Sequence, residues 1–210
     1  MGAENKSLDF NGGESEGWSA PALKASSPAP SPWTAERLFA YLRHGIDDVH
    51  EAAAGPMAPV VHFLSQVPEE DVRAIATYVA SLGGGQTPQQ RPSGPGGTGQ
   101  AFERGATIYA STCVACHDKG RQVPGGSLLL SLSTSVNMPT PDNLIRIVRG
   151  GIVPVEGEKA TWMMPAFAGV LTDQQITDLV IYLRAHFSDK PAWADVSGKV
   201  QTIALSKSKE

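Results

Sequence analysis

Residues 113–117 read CVACH. Two thiols three positions apart, followed at once by an imidazole, are the pattern by which a c-type haem is attached. In that chemistry the thiols add across two vinyl groups of the porphyrin, and the adjacent histidine faces the iron. Three other uses of the same residues fit less well. A thioredoxin-like dithiol sits near a βαβ pattern, and no run with a period of two is convincing here. A zinc site needs four ligands, whereas one histidine and two cysteines cluster. A structural disulfide would have no use for the histidine. The chain has two cysteines in all, so the motif specifies one covalent haem, with Cys113 and Cys116 as attachment points and His117 as the proximal ligand.

An electron-carrying iron with one histidine ligand commonly takes a methionine thioether as the other. Met164 lies in a loop before the last strongly periodic segment and is followed by Pro165, which stiffens the loop and removes a backbone donor. It is the expected distal ligand, with Met163 next in line. Met138 also precedes a proline, but lies close to the motif and reads as flexible core filler. Pro124 follows the motif in a Gly/Pro-rich loop, and its carbonyl is expected to accept the second ring proton of His117 and so orient the imidazole. His186 reads as a rim residue, and His44, His50 and His62 as structural or exposed. Trp162 and Arg149 read either as contacts to the haem edge or a propionate, or as plain core and solvated surface.

These residues need helices to hold them. A helix is expected from Gln100 to about Ser111, directly before the cysteines, with Gly105 between Phe102 and Tyr109 permitting close approach of a second helix. In the last periodic segment Ile176, Leu179, Val180, Leu183 and Phe187 form one apolar stripe, and Thr172 with Gln175 can form a capping box at its start. The fold class is all-α.

A second stretch repeats the pattern. Leu38, Arg43, Gly45 and Ile46 match Leu144, Arg149, Gly151 and Ile152, and Val72, Ile75, Tyr78 and Val79 match Ile176, Leu179, Tyr182 and Leu183. Met57 holds the place of Met164 in this left copy, and Pro68 with Glu69, Glu70 and Asp71 suits a helix start. The left copy has no CxxCH and no helix ahead of it, so it reads as the rear half of a domain. The expected organisation is a partial domain over 1–82, a Gly/Pro/Gln-rich linker over 83–99, a complete domain over 100–190 and a polar tail over 191–210.

Composition narrows the function further. A formal charge of −4 with no basic block over 210 residues argues against nucleic acid as a partner. No stretch approaches the ~20 apolar residues of a membrane-spanning helix. The first ten residues, MGAENKSLDF, hold no apolar core of an export signal.

The segments CVACH, MMPAFAGVLTDQQITDLVIYLR and TPDNLIRIVRGGI resemble the monohaem cytochrome c domain of bacteria. The left-hand segments EGWSAPAL, PSPWTAERLFAYLRHGI and GPMAPVV resemble the multihaem cytochrome c subunit of periplasmic, membrane-associated dehydrogenases. That group serves alcohol and aldehyde dehydrogenases and molybdenum hydroxylases such as nicotinate dehydrogenase. The resemblance implies a cytochrome c fold, a haem c held by His117 and Met164, and an electron-transfer role without catalysis of its own. It implies a dehydrogenase catalytic subunit as donor, a quinone or terminal oxidase as acceptor, and a periplasmic location. The rival expectation is a haem enzyme or gas sensor with an open sixth position. The left copy departs from the family by lacking a haem motif. Either the chain is a fragment of a longer protein or that half is a relic; the fragment reading, with an export signal and further haem motifs upstream, is the one expected.

Overall fold

The computed structural model describes residues 9–24, 26–47, 49–83, 96–117, 129–153 and 163–206. In chain order a hairpin of β1 (Gly13–Ser15) and β2 (Trp18–Ala20) leads to helix α1 (Ala35–His44), a second short hairpin of β3 (Ile46–Asp47) and β4 (Glu51–Ala52), and helices α2 (Met57–Leu64) and α3 (Glu69–Ser81). The right-hand part follows as α4 (Gln100–Thr112), α5 (Val114–His117), a 3-10 turn at Leu130–Leu132, α6 (Thr134–Asn137), α7 (Asp142–Gly150), α8 (Asp173–Phe187) and α9 (Val196–Ser206). The molecule is mostly helical, as expected. Its strands are two or three residues long, too short to show a period of two.

The frame of the right-hand part is the crossing of α4 and α8. At Gly105 an added Cβ would press into the backbone carbonyl of Asp178 and lie 2.6 Å from the Cβ of Tyr182, so only a glycine lets the two backbones meet. Phe102 and Tyr109 flank the crossing and pack on the Tyr182 ring, with centroids 5.1 and 5.4 Å away. Arg104 closes the crossing with two hydrogen bonds to the buried Asp178 carboxylate, at 2.6 and 3.0 Å. A buried carboxylate needs that pairing. Helix α8 starts on the expected capping box: the Thr172 hydroxyl accepts from the Gln175 N–H at 3.2 Å and the Gln175 side chain accepts from the Thr172 N–H at 2.9 Å. Its stripe of Ile176, Leu179, Val180 and Leu183 is buried.

The polar tail expected over 191–210 is corrected by α9. Val196, Val200 and Ile203 are spaced by four and three, form one seam, and are buried against α7 and α8. The polar residues between them face outward, and their number is what made the segment read as a tail. Just before it, the Arg184 guanidinium donates to the carbonyls of Val136, Met138 and Pro191 and lies 4.4 Å over the Trp193 ring.

In the left-hand part α1 packs on α3. Gly45 and Gly151 end α1 and α7 at positive φ, 73° and 68°, Gly45 in the left-handed helical conformation with ψ of 6° and Gly151 extended with ψ of −175°. After each an isoleucine runs extended, Ile46 pairing with Ala52 and Ile152 with Met164. Met57 instead opens α2. Ile75 and Tyr78 are 42% and 59% exposed, whereas their counterparts Leu179 and Tyr182 are 1% and 7%. Pro68 stands at the cap of α3, one place ahead of the helix. Of the expected linker, residues 84–95 lie outside the described residues.

A buried polar cluster anchors this part. The His50 ring stacks on Trp33 at 3.6 Å and reaches Asp47 Oδ2 at 2.7 Å and the Ser31 carbonyl at 2.9 Å. Burial alone would push the Asp47 carboxyl up, but hydrogen bonds from the His50 side chain and N–H and from the Val49 N–H hold it below the usual carboxylate value. A depressed carboxylate pKa stabilises the fold fully above the unfolded value, about pH 4, and that contribution is lost as the pH falls through the lower folded value. Acid unfolding of the left-hand part should therefore be steeper in the native chain than in Asp47→Asn, measured by circular dichroism between neutral and strongly acid pH.

Candidate cofactor site

The cysteine motif continues α4 as one further turn. The Cys113 N–H bonds to the Tyr109 carbonyl at 2.9 Å, and the N–H groups of Cys116 and His117 bond to the Cys113 carbonyl at 3.1 and 3.0 Å. Residues three and four apart on a helical turn share a face, so Cys113, Cys116 and His117 are presented together. All three line one cavity. Its walls are apolar: Leu144, Ile147 and Val148 come from α7, Leu179 and Leu183 from α8, Leu130 from the 3-10 turn, and Ile152, Met163, Met164, Pro165 and Phe167 from the loop between α7 and α8. Cys113 is buried and Cys116 exposed. Burial pushes the Cys113 thiol up against a lowering contact with the Thr112 hydroxyl, while Cys116 adds to the rise.

The methionine loop is pinned to the end of α7. Ile152 and Met164 exchange backbone hydrogen bonds of 2.9 and 3.0 Å, and the N–H groups of Phe167 and Ala168 bond to the carbonyls of Val148 and Arg149, both at 3.1 Å. A Cβ on Gly151 would lie 2.7 Å from the Ala166 nitrogen and 2.9 Å from the Pro165 carbonyl carbon, so this glycine lets the loop close on the helix. Met164 is half-buried there and Met163 is 65% exposed. Met138 is buried elsewhere: it does not line the cavity, and its carbonyl accepts from Arg184 and from the Trp193 indole at 2.9 Å.

Of the other sequence candidates, Arg149 pairs with Asp173 at the start of α8. His186 stacks on Tyr182 at 5.0 Å on the outer side of α8, His62 contacts Gln66, and His44 contacts Phe39 edge-on. Pro124 and Trp162 lie outside the described residues. One lining residue comes from the left-hand part. Ala52 of β4 faces the same cavity, and an alanine in the run AAAG carries no signal that sequence reasoning could have found.

The donor set suits a flat apolar macrocycle carrying iron. Two thiols on one helical turn can anchor its edge, an imidazole and a thioether can meet the metal, and aliphatic side chains can enclose its faces. Among the described residues, no helix is long and apolar enough to cross a membrane.

Residues 100–183 match the family described as cytochrome C oxidase, cbb3-type, subunit III. The chain is similar to one of the subunits of nicotinate dehydrogenase from Pseudomonas putida, 38% identical over 97% of this chain and 17% of that protein. It is similar to the gluconate 2-dehydrogenase cytochrome c subunit of Pantoea cypripedii, 32% identical over 83% of this chain and 42% of that protein. It is also similar to the cytochrome c subunit of alcohol dehydrogenase (quinone) of Gluconobacter oxydans, 31% identical over 80% of this chain and 37% of that protein. The chain thus spans less than half the length of these relatives.

Proposed function

The chain carries a cytochrome c domain, an electron-transfer unit whose cofactor is covalent haem c, and from that premise we propose that it is the electron-transfer component of a dehydrogenase complex. Cys113 and Cys116 would hold one haem covalently, and His117 and Met164 would ligate its iron. The observation that carries this reading is the shared cavity: Cys113, Cys116 and His117 on one turn and Met164 on a pinned loop line the same apolar space. When bound, the haem supplies a one-electron ferric/ferrous couple.

The chain's own residues do the rest. The two thiols hold the cofactor against loss, and His117 orients and ligates. The Met164 thioether favours the reduced state and raises the potential. Leu144, Val148, Leu179 and Leu183 keep water from the cofactor faces, which lowers the local dielectric and favours the less charged state. With His117 and Met164 both committed to the iron, the chain would offer substrate no open metal position, and catalysis would belong to a partner. The named relatives support a dehydrogenase catalytic subunit as the electron donor; we further assign quinone or a terminal oxidase to the receiving side and a periplasmic location to the chain.

The chain expressed with an export signal and haem-attachment machinery should weigh as the polypeptide plus one haem. A mass equal to the bare polypeptide, or to two haems, sinks this assignment. His117→Ala should lose the low-spin spectrum. Met164→Ala should lose the methionine–iron charge-transfer band and lower the midpoint potential, while Met138→Ala should keep both. Carbon monoxide binding rapidly to the reduced native chain would favour the haem enzyme or gas sensor instead.

A further inference from the structure

The cavity described above is completed from outside the cytochrome c domain. Ala52 is 9% exposed and lies on its lining. It is held there by three successive attachments. First, β4 pairs with β3, and the Ala53 N–H bonds to the Gly45 carbonyl at 2.7 Å. Second, the Trp18 ring packs flat against the chain at Gly55. This glycine has φ of 54°, and a Cβ there would meet the Trp18 ring nitrogen at 2.6 Å. Third, the strand carrying Trp18 is clamped to α7. The Ser19 N–H donates to Asn143 Oδ1 at 2.9 Å, Asn143 Nδ2 donates to the Ser19 carbonyl at 2.8 Å, and Arg146 Nε donates to the Gly17 carbonyl at 2.9 Å. The amide of Asn143 thus treats β2 as a neighbouring strand would. The residues between and beside these anchors, Leu144 and Ile147, point the other way and line the cavity.

We propose that strand β4 is a wall of the haem cavity, that Ala52 is the residue by which it shields the cofactor, and that the β1–β2 hairpin is the clasp that holds this wall on α7. The inference rests on the haem assignment above. Its physical content is dielectric. A methyl group in the wall excludes water, and water admitted at that point would stabilise the ferric, more charged state and lower the potential. The clasp hydrogen bonds involve neither His117 and Met164 nor the attachment cysteines, so loosening them should alter the environment of the cofactor without altering its ligation.

The test uses the full haem-loaded chain. In Ala52→Cys the introduced thiol should react slowly with a maleimide. Adding Trp18→Ala and Asn143→Ala should speed the reaction roughly tenfold or more, because local opening then exposes the wall; the modified site is read by peptide mass. Without the introduced thiol, the same two clasp substitutions should lower the midpoint potential while keeping the methionine–iron band. Fast modification with the clasp intact, or an opened wall with an unchanged potential, overturns the proposal. Gly55→Ala, which strains the backbone and crowds Trp18, should reproduce the clasp variants and guards against a misfolded double variant. Should the native chain take up no haem, the electron-transfer assignment fails on its own, and the maleimide comparison on that protein still decides whether the clasp holds the wall.

Discussion

A chain cut after Pro191 is expected to unfold at markedly lower urea than the full chain, both loaded with haem. The cut removes α9 and with it Val196, Val200 and Ile203, which are 5%, 0% and 2% exposed. Burying an aliphatic side chain of this size contributes about 1.5 kcal/mol or more, and the ordering entropy of the helix offsets part of the total. The cut also removes Trp193, whose ring lies over Arg184 and whose indole holds the Met138 carbonyl. Arg184 is itself buried, and burial pulls its pKa down; the ring lost with the cut packs over this buried cation. The net loss should be about 3 kcal/mol, a large share of the stability of a small domain. An unchanged urea midpoint would show that α9 does not belong to the core.

Gly105→Val should destabilise the haem-binding half by about 3 kcal/mol or more, since overpacking a close contact with no flexible neighbour exceeds the usual range. The obstacle is the Asp178 backbone carbonyl, which cannot move without bending α8. Pushing α4 away also breaks the Arg104–Asp178 pair and leaves a buried carboxylate without its cation, with the Gln174 side chain still donating to it. Because Cys113 caps the same helix, the yield of covalently attached haem should fall along with stability. Glu103→Val, on the exposed side of α4, is the control and should change both by little. Equal behaviour of the two variants in thermal unfolding and haem yield would mean that the crossing is not what holds the site.

These two expectations differ in how visible they were before the fold was known. Gly105 between two aromatic residues announces a helix crossing, because a missing Cβ matters only where backbones approach. The haem motif, the capping box at Thr172 and Gln175 and the apolar stripe of α8 are legible for the same kind of reason. Each is a relation between residues within about a helical turn of one another, where backbone geometry alone dictates who meets whom. The pairing of Met164 with the end of α7 was half legible: Pro165 marked the loop, but only the bridge to Ile152 separates Met164 from the buried Met138. The seam of α9 is carried by three residues in a segment otherwise polar, and a count of polar residues hides it.

Chain order was therefore enough for the local relations: which residues can bind a haem, where the helices start, and where two of them cross. It took the packing of the whole chain to bring Ala52 to the cavity and to make Met57 open a helix rather than share Met164's place. The same packing docks a three-residue strand near the start of the chain on α7, more than a hundred positions later, at Ser19 and Asn143. Such contacts leave no trace in spacing, because an alanine or a backbone amide offers every partner the same surface. Which partner it meets is settled by how the larger elements pack.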